Sequence, residues 1–167
     1  MEFLSELLVD IKKSEVLRYL GYKAKAAPQG EAKEILEDAV RRGYQLVQPR
    51  AIYTWAKVKE MNRRKLLLEQ GLRLSVGSAI KLWKGAEYLA IVLCTIGPAL
   101  ENQVSELFTQ GELALALMLD SVGSVAVDSV ADHVNHVICR EANQSGLSTG
   151  PRLSPGYGKW ALEDQRG

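Results

Sequence analysis

The chain has 167 residues, 47% of them apolar and 25% charged, which suits one globular domain, with or without a small extension, and a sizeable core. Twenty-one Lys and Arg balance 20 Asp and Glu, so no net charge draws the molecule onto nucleic acid or a membrane surface. Two cysteines, Cys94 and Cys139, stand in no CxxC or metal-ligand spacing and exclude a disulfide framework.

The N-terminus, MEFLSELLVDIKK, is acidic at once, without the pattern of a signal peptide, and no run of 18 apolar residues predicts a membrane span. The expected compartment is the cytoplasm. Leu4, Leu7, Leu8, Ile11, Val16, Leu17 and Leu20 recur at helical spacing, with Ser14 as a candidate N-cap and Gly21 as the C′ residue. AAPQGEAKE is a turn or linker. A second helix follows in EAKEILEDAVRRGYQLV, where acids lead, Arg41 and Arg42 close and Gly43 follows, in keeping with the helix dipole.

Alternation then replaces helical spacing. Ile52, Thr54, Ala56 and Val58 alternate with Tyr53, Trp55 and Lys57, which predicts a strand with a mixed aromatic face. NRR turns the chain, KLLLEQGLRL returns as a strand, and SVGSAIKLWKGA forms a short helix. Leu89 to Ile96 is continuously apolar, the pattern of a central strand buried on both faces. Gly97-Pro98 opens a helix that stops at Gly111, and a long helix covers about 112–143. The tail reads as loop. The expected fold is α+β, an antiparallel sheet from about 50–60, 64–74 and 87–96 with helices packed on it.

Chemistry concentrates in two places. On the long helix, Val122, Ala126, Val130, Val134 and Val137 form an apolar stripe, opposite Ser121, Ser124, Asp128, Asp132 and Asn135. Such small residues with short carboxylates fit either a solvated face or one that lets a ligand come close. His133 and His136 lack a third ligand for a metal, and no P-loop, G-x-S-x-G or G-x-G-x-x-G is present. The second place is RLSPGYGKW. Arg152 on a rigid Pro-Gly turn suits two-pronged capture of a carboxylate, and Tyr157 adds an aromatic surface. The same stretch also reads as a loop that packs Tyr157 and Trp160 on the core and leaves Arg152 in water.

Arg152, Pro155, Gly156 and Tyr157, as R-x-x-PGY, resemble the signature of the activation domain of cobalamin-dependent methionine synthase. QPRAIY at 48–53 is similar to that domain's early strand, CTIGPALENQV at 94–104 to its strand–helix junction, and LDSVGSVAVDSVAD at 119–132 to its long helix. EVLRYLGYK at 15–23 resembles a segment of stand-alone members. The resemblance implies an N-terminal helical extension over 1–30 and an activation-like domain over 31–167. The family continues past the loop with further strands and a further ligand-contacting tyrosine, so the domain reads as lacking its C-terminal part. A homodimer would cover the sheet edge this leaves.

The resemblance also implies a function. The domain binds S-adenosylmethionine and caps a corrinoid protein, a flavodoxin-like donor supplies an electron, and the oxidised cobalamin is remethylated. Residue by residue, Arg152 would hold the ligand's carboxylate, Ser154 would offer a backbone contact, Tyr157 would line the adenosine end, and Asp128 would supply the family's helix carboxylate. Glu60 to Arg64 depart from the family's acidic contact, and Lys159 stands where relatives tend to be acidic. Those departures favour an alternative, a docking or capping module that binds a corrinoid protein or its cobalamin without S-adenosylmethionine.

Overall fold

Backbone hydrogen-bond demand shapes the chain from its first residues. In the computed structural model, which describes residues 1–5, 7–23, 27–157 and 160–163, strand β1 (Glu2–Leu4) joins the sheet where a helix was expected. Residues 7–12 then lie outside any helix, with Leu7 and Ile11 buried and Leu8 exposed. Side chains satisfy its amides: Ser129 Oγ accepts from the Asp10 N–H at 2.8 Å, and the Tyr44 hydroxyl from the Ile11 N–H at 3.0 Å. Strand pairing and these bonds override the helical spacing, so helix α1 is only Lys13–Tyr19, with Lys12 rather than Ser14 at the N-cap. It ends as expected at Gly21, where the Tyr22 N–H bonds the Leu17 carbonyl and the Gly21 N–H the Arg18 carbonyl.

Helix α2 (Glu31–Leu46) runs through Gly43 instead of stopping there. A Cβ on Gly43 would lie 2.3 Å from Val122 Cγ1 and 3.3 Å from Ile11 Cδ1. The glycine is therefore where another helix comes close, not a terminator. Strand β2 (Arg50–Met61) follows, in the alternation expected of it. The predicted 64–74 strand is split into β3 (Leu66–Leu68) and β4 (Arg73–Leu74), because the chain turns back on itself between them. A bulge between Val58 and Glu60 offsets the antiparallel register of β2 and β3. The short helix after them is a 3-10 helix, Gly77–Trp83.

Strand β5 (Tyr88–Thr95) pairs with β2, off the sheet path β1-β2-β3-β4. It is not the doubly buried central strand that its apolar run predicts: of its residues only Leu89 is buried. Helices α3 (Ala99–Gln110) and α4 (Leu113–Gln144) complete the α+β fold, with Gly111 closing α3.

The chain divides into two compact units. One holds Met1–Glu2, Tyr53–Val92 and Asn135–Gly167, the other Phe3–Ile52 and Leu93–Val134. The second unit is built on α4, whose Val122, Ala126, Val130 and Val134 are fully buried, while Val137 is only half-buried and belongs to the first unit. Ser121 is buried and returns its hydroxyl to the Leu117 carbonyl, so it is no part of an open face. In the first unit Ala56, Leu66, Leu68, Val76, Ile80, Leu89 and Trp160 form one apolar cluster. By length and composition α4 is apolar enough to cross a membrane, but half of its apolar window is buried inside the protein, as in a core helix.

Candidate functional site

The RLSPGYGKW segment lies in the first unit, and each step into it is anchored. After α4 the Leu147 N–H bonds the Ala142 carbonyl. Cys139 Sγ then meets Thr149 Oγ1 at 3.3 Å, and the Trp83 indole N–H donates to the Pro151 carbonyl, also at 3.3 Å. Leu153 packs against the apolar cluster.

The Ser154 carbonyl accepts the Tyr157 N–H at 3.1 Å, with Pro155 and Gly156 between them and Gly156 at φ +96°. That is a type II turn, which proline favours at its second position and which needs a positive φ at its third. The Tyr157 carbonyl accepts from the Trp160 N–H, and the Trp160 carbonyl from the Gly156 N–H. Trp160 is 8% exposed, with its ring edge-on to Trp83 at a centroid distance of 5.8 Å.

The packing expected of both aromatics holds for Trp160 and not for Tyr157. Trp160 is core, whereas Tyr157 is 57% exposed, and Arg152 is exposed too. The turn keeps an arginine and a tyrosine at the surface by burying a tryptophan behind them. Its backbone is less open than an irregular segment suggests, since the Ser154 and Tyr157 carbonyls and three N–H groups are bonded within it. The Ser154 carbonyl, with one lone pair taken by the Tyr157 N–H, keeps the other for a ligand.

Strand β2 decides how the helix and the loop are arranged in this unit. Its side chains alternate between faces. Tyr53 and Trp55 share one face and meet α4, where Glu141 accepts from the Tyr53 hydroxyl and, at 3.3 Å, from the Trp55 indole N–H. Ala56 and Val58 share the other face, on the apolar cluster that contains Trp160 and takes Leu153. The C-terminal end of α4 and the PGY loop therefore hold β2 from opposite sides. Glu141 carries no motif in the sequence. Only the aromatic face of β2 signalled that an acceptor was needed there.

Asp128 belongs to the second unit and is already engaged. The Tyr19 hydroxyl donates to its Oδ2 at 2.6 Å, and that bond, with burial, pushes the Tyr19 phenol above its ordinary range. The Arg18 guanidinium lies over the Tyr19 ring, 4.8 Å from its centroid. Elsewhere in the second unit, Glu31, Glu34, Asp38 and Glu112 border an open groove of about 550 Å³. A groove so lined repels a carboxylate ligand.

Set beside known proteins, the chain matches no family model and no curated protein. Any functional reading thus rests on the loop's own geometry and on the motif it carries.

Proposed function

We propose that the chain is an S-adenosylmethionine-binding module that assists the reductive remethylation of a cobalamin carried by a corrinoid partner in the cytoplasm. One observation carries the reading: a type II turn anchored by Trp160 that presents Tyr157 at the surface, with Arg152 exposed two residues before the turn. A guanidinium can take a carboxylate through two parallel N–H···O bonds, the role proposed for Arg152. Tyr157 offers a flat surface to the adenine end, and the Ser154 carbonyl offers its remaining lone pair.

When bound, the partner's cobalamin would supply the methyl acceptor once a flavodoxin-like donor had reduced it, and S-adenosylmethionine would supply the methyl group, with Arg152, Ser154 and Tyr157 holding the sulfonium compound. The chain's share is to hold the sulfonium compound in place, which turns a bimolecular encounter into a positioned one.

The second reading, a corrinoid-docking module that takes no S-adenosylmethionine, draws support from Asp128, whose carboxylate is occupied by Tyr19. Titration calorimetry with S-adenosylmethionine separates the two. The first reading expects saturable heat that Arg152→Ala weakens by roughly tenfold to a hundredfold, about 1.5–3 kcal/mol, with Arg152→Lys recovering only part of it. Absence of heat at millimolar ligand, with binding to a corrinoid protein intact, selects the second. Absence of both overturns the two together.

A further inference from the structure

We infer that the outer edge of β5 is a self-association surface that pairs antiparallel with β5 of a second copy. This inference stands apart from the ligand reading. Sheet edges template pairing with other chains, and proteins blunt them with short strands, charge, proline or bulges. The ends of the sheet path are blunted in this way: β1 has three residues and β4 has two, one of them Arg73. Strand β5 is not. It has eight residues, Tyr88–Thr95, with no charge, proline or glycine among them, and β2 is its one strand partner among the described residues.

Consecutive side chains point to opposite faces of a strand. Val92 is 37% exposed and Leu93 is 71% exposed, so neither face is covered at that point. The apolar pattern is that of a strand buried on both sides, while in the single chain Leu89 is buried, Ile91 packs on the apolar cluster, and Tyr88, Val92, Leu93 and Thr95 stay exposed.

The occupant that suits this edge is an uncharged strand of similar length, and the chain itself supplies one. With Ile91 opposite Val92 of the second copy, Tyr88 faces Thr95, Leu89 faces Cys94 and Ala90 faces Leu93. Glu87, the nearest charge, then falls opposite Ile96. No like charges meet and no ionised group in the paired segment loses its water. A two-fold pairing of this kind closes on itself and does not grow into a fibre.

Sedimentation equilibrium on the full chain tests it. The expected result is a dimer at about 100 µM that is insensitive to salt between about 0.1 and 1 M, since no ion pair holds it. Val92→Lys and Leu93→Lys place a charge on exposed positions of the edge. Each is expected to weaken the dimer by about tenfold or more with an unchanged circular-dichroism spectrum. Amide exchange over 88–95 is expected to slow as protein concentration rises. A monomer at that concentration overturns the inference, as does a dimer that salt disperses or one that survives in both lysine variants.

Discussion

Glu141 takes two donors at once, and the cost of removing it falls on Tyr53. That tyrosine is 2% exposed, and burial, with the hydrogen bond to Glu141 and its nearby charge, pushes its phenol up to about 12. The folded state thus favours the neutral phenol. The resulting stability is complete below the unfolded value near pH 10 and is lost as pH rises toward about 12. In urea unfolding of wild type against Tyr53→Phe, the difference is expected to be flat up to about pH 10. It should then move against wild type by on the order of 2 kcal/mol by about pH 12. A difference that stays flat through that window contradicts the assignment. At this scale the sequence was uneven as a guide. Proline and glycine announce the turn at 155–156 through backbone geometry alone, but nothing in the order of residues shows that Asp128 is met by Tyr19, 109 positions away.

Helix ends and helix contacts behave differently from one another. Gly21 and Gly111 close α1 and α3 as the spacing predicts, because a cap is a matter of a few adjacent residues. Gly43 carries the same local signal and does the opposite. Replacing a mid-helix glycine by alanine normally adds about 0.5–1 kcal/mol. At Gly43 the new methyl meets Val122 Cγ1 at 2.3 Å, and Val122 is fully buried and branched at Cβ, so its methyl cannot swing away without moving the core or the backbone. Gly43→Ala is expected to destabilise by about 1–3 kcal/mol. Denaturant midpoints of Gly43→Ala, Val122→Ala and the double variant check this, because the double variant should cost less than the two single changes together. Gly123→Ala should be milder, since its methyl would meet the end of the Leu100 side chain at 2.8 Å.

Across the whole molecule the formal charge of +1 conceals a division. Residues 53–92 carry eight Lys and Arg against three Asp and Glu, while residues 93–134 carry six acids and no Lys or Arg. These stretches belong to different units. Local fields, not the net charge, govern contact with a charged surface. At pH 7 and low salt the protein is expected to be retained on both cation and anion exchangers. Arg63→Glu with Arg64→Glu, at the exposed turn between β2 and β3, should release it from the cation exchanger alone. Passage through both exchangers would show that the division has no consequence at the surface.

By itself the sequence determined the α+β class, the alternation of β2, the extents of α3 and α4 to within a residue or two, and the turn at Pro155-Gly156. All of these depend on torsional preference, capping and period, which act over a few residues. Only the tertiary structure decided that the N-terminus is a strand, that Gly43 lies inside a helix, that β5 is an edge, and that Glu141 is the acceptor for Tyr53, 88 positions away. Each of those outcomes is a pairing between distant segments. Local preference cannot specify such a pairing, because its free energy comes from the partner's backbone groups and apolar surface, which only the folded chain brings within reach.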